Sequence, residues 1–358
     1  MPFSELVEFA LYDPDHGFYA TGGRAGGRGD FLTSPEVGPL FGALLGRWLD
    51  QLWDELGRPD PFVVAEVGAG PGTLARTVRV GEPACASALA YVLVERSAAQ
   101  RWLHAEHLPG WVGEREGAAL EAFVAEPLDG AGPRFASAAT PPSAVVGAVV
   151  ANELLDNLPF DVVRATGSGA EQMVVVSRPD GLDLEAVPAS DDVARDLAGL
   201  GVAGGGWVPW QRAARAWLSD VLGRVVRGRV LVLDYGADTA ELAARPELGW
   251  LRTYRGNERG DHPLDDVGGQ DITADVAVDQ LQAERSADRV RTQAALLRSL
   301  GIDDLVEEGR RLWSERAHAP DVAALRARSR VREAEALLDP DGLGAFVALE
   351  WDVAVGPA

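Results

Sequence analysis

Glu66-Val67-Gly68-Ala69-Gly70-Pro71-Gly72-Thr73-Leu74 follows directly on the apolar run Phe62-Val63-Val64-Ala65 and opens a segment of helical character. Glycine at every second position lets the backbone turn tightly out of a strand and lets a ligand approach where a side chain would collide. The dinucleotide turn, GxGxxG, cradles a pyrophosphate. Here the spacing is GxGxG, with the carboxylate of Glu66 two residues ahead of the first glycine. An acid in that position suits a cationic ligand better than a phosphate. The plainer alternative is a glycine-rich strand-to-helix turn that holds nothing.

Outward from this turn the texture repeats. Tyr91-Val92-Leu93-Val94-Glu95, Ala144 to Ala151 and Arg229 to Asp234 are further short, continuously apolar runs, separated by helical stretches. Such strands belong to a parallel sheet covered on both faces, which makes the region from residue 61 an open α/β domain. Glu95 ends the second run, where an acid accepts hydrogen bonds from the two ribose hydroxyls of a nucleoside ligand. Its alternative is a strand-end acid paired with Arg96. Asn152-Glu153-Leu154-Leu155-Asp156-Asn157-Leu158-Pro159 ends the third run, and ligands of open sheets sit outside the carboxyl ends of the strands. These polar residues are therefore expected to face the same crevice as Gly68 and Glu95, unless Asp156 or Asn157 merely satisfies a turn.

The periodicity of Leu40, Phe41, Leu44, Leu45, Trp48, Leu49, Leu52 and Leu56 predicts one amphipathic helix over 36–56, with Ser34-Pro35-Glu36 as its start. A glycine-rich loop at 22–29 precedes it. Further helices are expected at 209–226, 290–300 and 325–338, a strand at 172–176, a loop at 202–206 and a closing strand at 345–353. The organisation expected is an N-terminal lid loop and long helix (1–60), an α/β core (61–236), a substrate-side insertion with helices (237–345) and the closing strand of the core (346–358).

The 358 residues are 47% apolar and 25% charged, the composition of a folded chain with a sizeable core. A net charge of −22 argues against nucleic acid and anionic membranes as partners. All 33 basic residues are arginine, so lysine Schiff-base and P-loop chemistry are absent. Cys85 is the only cysteine, and the one close histidine pair, His104 and His107, reads as part of a surface segment without the donor set of a metal site. No apolar run reaches the ~18 residues of a membrane span, and the first residues lack the basic start and apolar run of a signal peptide, so a cytoplasmic location is expected.

Several stretches together resemble one family, the MidA-type S-adenosylmethionine (SAM) methyltransferases, whose mitochondrial member methylates an arginine of a complex I subunit during assembly. They are Tyr12 to Tyr19, Gly29 to Glu36 with Phe41-Gly42, Glu66 to Leu74, Val94 to Ser97, Asn152 to Pro159, Asp234-Tyr235-Gly236, Thr253-Tyr254-Arg255, His262-Pro263-Leu264, Gly269 to Val276 and Thr292-Gln293. The resemblance spans residues 9–305 in order. It implies a class I, Rossmann-like methyltransferase fold with an open, mostly parallel sheet, and SAM as the cofactor. It further implies that Glu66, Gly68, Ala69, Gly70 and Gly72 form the cofactor turn, with Glu95 and Arg96 at the ribose. Asn152 and Glu153 fall at the lip near the methionine end, Gly29-Asp30-Phe31 become part of a lid, and residues 237–280 form the substrate-side insertion.

A guanidinium acceptor calls for paired carboxylates that fork the planar cation and polarise its N–H bonds. Glu153 and Asp156 are the candidates for that catalytic pair. The acceptor implied is an arginine of a protein. A small molecule is the alternative acceptor, a non-catalytic SAM-binding assembly factor the alternative function, and oligomeric state is left open.

Overall fold

The computed structural model describes residues 1–21, 33–202, 204–255 and 258–356. The chain forms two compact units that are interleaved along the sequence. One takes the described residues of Met1–Phe31, Glu153–Asp220 and Asp234–Ser286, the other those of Leu32–Asn152, Val221–Leu233 and Ala287–Ala358.

The second unit is built on an eight-stranded sheet. Its first five strands are β1 (Phe62–Val67), β2 (Leu89–Val94), β3 (Trp111–Glu114), β4 (Arg134–Ala138) and β5 (Val145–Asn152). In space the order is 289–292, 347–353, 225–234, β5, β1, β2, β4, β3. All pairings from 225–234 to β3 are parallel, and the strand Arg289–Thr292 runs antiparallel to Val347–Val353. Every residue of β1 and β2 is buried, as expected of strands covered on both faces. Phe41, Leu44, Leu45 and Trp48 of the helix Pro39–Glu55 pack with Phe62, Val64 and Tyr91 in the core.

The helix predicted over 36–56 is broken. A four-residue helix, Ser34–Val37, ends at Gly38, and Pro39 starts the long helix Pro39–Glu55. The break falls at Gly38-Pro39, because Pro39 has no N–H to donate and disfavours the helical conformation at the residue before it. Glu333 then caps the new helix, its carboxylate accepting the Leu40 N–H at 2.8 Å and lying where it would be 2.3 Å from any Cβ at Gly38. Ser34 is not the cap either: Thr33 holds that position, and the Ser34 hydroxyl donates to Gln293 at 3.0 Å. The helix expected over 290–300 divides at Thr292, whose hydroxyl accepts the Ala295 N–H and so separates the strand Arg289–Thr292 from the helix Gln293–Ser299. The glycine-rich loop at 22–29 lies outside the described residues.

The first unit carries a four-stranded antiparallel sheet in the order 181–188, 169–178, 161–166, 208–210. Only Gly169–Arg178 of these was legible, as residues 172–176. Trp210, expected in the helix 209–226, ends the strand Val208–Trp210, and that helix is Arg212–Arg224. The core of this unit gathers Phe3, Phe160 and Trp250, whose rings lie 5.5 and 6.0 Å apart. A smaller sheet, 258–259, 251–255, 271–274, completes it. Among the described residues no helix is long and apolar enough to cross a membrane.

The central sheet holds a buried cation. Arg229, 4% exposed, bonds to Asp352 and, at 2.9 Å, to Glu55. Burial pushes the Asp352 carboxyl up, but Arg229 and Arg289 outweigh it and hold the group below the usual carboxylate range. A lowered carboxyl pKa contributes stability that is present above the unfolded value near 4 and is lost as pH falls through the folded value. Arg229→Ala is therefore expected to lower unfolding stability by about 3 kcal/mol near neutral pH. Urea denaturation should show the gap between variant and wild type narrowing below about pH 4. A gap independent of pH would mean that the loss is one of packing alone.

Candidate functional site

β1 delivers the glycine turn. The parallel register sets Val67 beside Val94 and Ala151, so the turn, Glu95 and Asn152 emerge at the same carboxyl edge of the sheet. Gly68, Gly70 and Gly72 all have positive φ (74, 51 and 84°), the left-handed region that glycine enters without a Cβ penalty. A Cβ at Gly72 would press to 2.9 Å from Leu93 Cδ2, whereas one at Gly70 would project into open space.

The polar groups of the turn are satisfied from within. Gly68 and Ala69 donate to Val94 O, Gly72 donates to Ala69 O, and Gly70 donates to the Glu95 carboxylate at 2.9 Å. Residue 71 is proline and has no N–H. No turn amide is left to receive a phosphate, so the turn offers close approach but no anion cradle. Glu95 is half-buried, and its second oxygen accepts the Ser97 N–H at 2.7 Å. Burial raises its pKa, while the Ser97 and Gly70 amides oppose the shift.

Three sequence expectations change here. Glu66 turns inward: it is buried, accepts from the Tyr91 hydroxyl at 2.7 Å and from the Ala75 N–H, and burial raises its pKa to about 8. Its carboxyl thus supports the start of the helix Thr73–Val80 from inside. His104 is fully buried rather than on the surface, with Nε2 at 2.7 Å from Gly70 O, and His107 Nδ1 lies 2.7 Å from Pro71 O. The two histidines hold the carbonyls of the turn. Arg96 is exposed, with its backbone carbonyl accepting from Arg101. Asn152 is half-buried at the end of β5, and Gly29, Asp30 and Phe31 lie outside the described residues.

In the first unit, Glu153 begins a turn with φ 52°, a left-handed conformation costly for a residue with a side chain and concentrated at functional sites. The turn is fixed by Asp234, whose carboxylate accepts the Leu155 N–H at 2.9 Å and the Tyr235 N–H at 3.0 Å. The Tyr235 hydroxyl donates to Asp156 Oδ2 at 2.6 Å and accepts from Thr273 at 2.6 Å. Asn157 donates to Asp271 Oδ1 at 3.0 Å, and the Tyr19 hydroxyl lies 3.2 Å from Asn157 Oδ1. Tyr12, stacked on Tyr19 at 5.8 Å, donates to Asn157 O.

This cluster carries more carboxylates than cations. Asp275 pairs with Arg252 at 2.6 Å and with Arg245, but among the described residues Asp156 and Asp271 have no such partner, and Asp156 Oδ1 and Asp271 Oδ2 are buried with no hydrogen bond from them. Burial raises the pKa of Asp156 to about 6. Burial, then the charge of Asp156, raises Asp271 to about 8. Asp234 is pushed well above its ordinary value by burial and by the charges of Asp156 and Glu153. Sequence reading paired Asp156 with Glu153. The geometry adds Asp271, Tyr235 and Tyr19, which stood inside quoted motifs without a role, because their contacts join residues 79 to 252 positions apart.

Comparison with known proteins agrees with this frame. Residues 44–295 match the Methyltransf_28 family, described as "Putative S-adenosyl-L-methionine-dependent methyltransferase". A COG1565 superfamily member from Burkholderia thailandensis, crystallised bound to S-adenosyl-homocysteine, is similar with a TM-score of 0.80 and 26% identity, covering 100% of this chain and 89% of that one. The protein arginine methyltransferase NDUFAF7 of Danio rerio is 25% identical over 85% of this chain and 74% of its own length. The NDUFAF7 homolog of Drosophila melanogaster is 44% identical over 22% of this chain, a match that spans only 18% of that relative. The match to the human protein likewise spans 16% of its length. The chain belongs to the Methyltransf_28 family of methyltransferases, whose cofactor is S-adenosyl-L-methionine.

Proposed function

We propose that this protein transfers the methyl group of SAM to a guanidinium nitrogen of an arginine in a protein substrate. The observation that carries this reading is the pair of buried carboxylate oxygens, Asp156 Oδ1 and Asp271 Oδ2, left without a partner in a cluster short of cations. A buried acceptor atom without a donor costs about 1–3 kcal/mol, and a planar cation with several N–H groups supplies what both oxygens lack. The names of the NDUFAF7 relatives support arginine as the acceptor.

The residues present fit the cofactor. Gly70 opens onto free space that a Cβ would fill, the amides of the turn repel no cation and invite no phosphate, and Glu95 stands at the end of β2 where a ribose diol would bond. Gly68, Gly70, Gly72 and Glu95 would hold SAM, with Ala69, Arg96 and Asn152 beside them. Bound SAM supplies a methyl already activated on a sulfonium. The protein's part is to orient the acceptor and to manage a proton. When a guanidinium nitrogen gains a methyl, one N–H proton must leave for the product to keep its single charge. Asp156, with its pKa near 6, is ionised at neutral pH and is the group to which this reading assigns that proton, while the Tyr235 hydroxyl fixes its orientation. Glu153, the residue that follows Asn152 in the chain, adds charge to the same cluster.

Calorimetry is expected to show binding of SAM and S-adenosylhomocysteine but not of NAD. Gly70→Val should abolish it, because a branched side chain both fills the open space and resists positive φ. Glu95→Ala should weaken it by about 1–3 kcal/mol, the scale for losing hydrogen bonds to a charged group. Tight NAD binding without a SAM signal would sink the reading.

The acid cluster is tested by Asp271→Asn, which keeps the Oδ1 acceptor for Asn157 but cannot ionise. The folded pKa of Asp271, about 8, lies above the unfolded value, so the folded state holds the extra proton and stability falls as pH rises from about 4 to about 8. The variant is therefore expected to melt higher than wild type at pH 8 and level with it near pH 4, while SAM affinity stays unchanged. Methyl transfer to arginine peptides, assayed at about pH 9 where the wild-type carboxyl is ionised, should drop at least ~10²-fold, the scale of one preorganised electrostatic group. Normal transfer by this variant would remove the cluster from the acceptor's site.

A further inference from the structure

We infer that His104 is a positioning residue for the cofactor turn, acting as the last link of a relay from Trp111 through Ser137. This rests on the SAM reading of the turn and goes beyond it, since the histidine lies on a helix 30 residues downstream and shows no ligand-facing role in the sequence. Its ring is fully buried, as is Ser137 on β4. His104 Nε2 lies 2.7 Å from Gly70 O, His104 Nδ1 lies 2.7 Å from Ser137 Oγ, and the Trp111 indole N–H donates to Ser137 Oγ at 2.8 Å.

The chemistry of the two ends fixes every proton between them. An indole N–H can only donate and a carbonyl can only accept, so Ser137 accepts from Trp111 and donates to Nδ1, and Nε2 carries the hydrogen that reaches Gly70. That arrangement is the neutral imidazole. Burial favours the same state by lowering the pKa of His104 and outweighs the hydrogen bond to Gly70, which raises it; the nearby charges of His107 and Arg101 push the same way as burial, against that of Glu114. A protonated ring would turn Nδ1 into a second donor facing Ser137 Oγ and displace the hydroxyl hydrogen from it.

The consequence falls on Gly70. Its N–H is held by the Glu95 carboxylate and its C=O by His104, so two side chains from different elements clamp both polar ends of a turn residue that opens onto free space. Glycine surrenders more conformational freedom on ordering than any other residue. If the clamp were missing, that loss would be taken at the moment of binding, and affinity would fall accordingly.

Calorimetric titration of S-adenosylhomocysteine into wild type and two variants tests this. His104→Gln, whose amide N–H can reach Gly70 O, should stay within about threefold of wild type. His104→Leu, close in volume and without a donor, should bind about tenfold more weakly, the scale of one hydrogen bond. Rescue by Gln and not by Leu separates a positioning hydrogen bond from mere packing. Should His104→Leu fail to fold, a second readout remains: the Trp111 indole N–H resonance, assigned with Trp111→Phe, should shift on ligand addition in wild type and stay still in Ser137→Ala. Equal affinity of the Leu and wild-type proteins, or a Trp111 signal unmoved while calorimetry reports binding, overturns the inference alone. A wild type that binds no S-adenosylhomocysteine overturns the SAM reading of the turn and the inference with it.

Discussion

The carboxylate of Glu95, bridging the N–H groups of Gly70 and Ser97, is the bond on which the binding edge depends. Three glycines with positive φ cannot hold a shape by themselves, because the freedom that admits the turn also lets it wander. The shape is imposed from outside, by Val94 O, Glu95, His104 and His107, which between them satisfy the turn's outward polar groups. What remains on the ligand's side is a close-approach surface with little hydrogen-bonding demand. Such a surface favours a ligand held chiefly by its sugar and by contact over one held by phosphate, and it explains on physical grounds why GxGxG and GxGxxG differ in what they bind.

The other unit follows the opposite logic. There the fold accumulates buried carboxylates, Asp156, Asp234 and Asp271, whose raised pKa values measure an unmet need for positive charge. Burying acids is costly unless they are paired, and a chain with 33 arginines could have paired them all. Among the described residues it pairs Asp275 twice and gives Asp156 and Asp271 no cation. Local instability kept in one place, against the general tendency to relieve it, is the usual mark of a site shaped for something absent from the resting protein.

What could be read directly from the sequence was whatever depends on neighbours along the chain. The apolar runs of β1, β2 and β5, the glycine turn and the acid after β2 are all local patterns, and each stands close to where the residues alone put it. The cap on the helix Pro39–Glu55 was not legible, because Glu333 supplies it from 293 positions away, whereas the break itself is marked locally by Gly38-Pro39. His104 looked like a surface residue because its helix alternates charged and apolar side chains, and nothing local says that its ring reaches back to Gly70. The antiparallel sheet over 161–210 was mostly invisible, since its edge strand Gly181–Pro188 is largely exposed and carries little of the apolar alternation that marks a buried strand. Asp271 and Tyr19 are 252 positions apart, and only the folded chain makes them neighbours.

The strand Val347–Val353 sits inside the large sheet, between 225–234 and 289–292, rather than at its edge. During synthesis the strand Val225–Asp234 therefore emerges more than 100 residues before the neighbour that covers it. Through that interval an apolar, hydrogen-bond-hungry margin stays open on the nascent sheet, a surface on which one unfinished chain can pair with another. Completion of the sheet thus waits on residues 347–353, and a chain stopped before residue 347 would leave 225–234 without one neighbour and 289–292 without its partner strand.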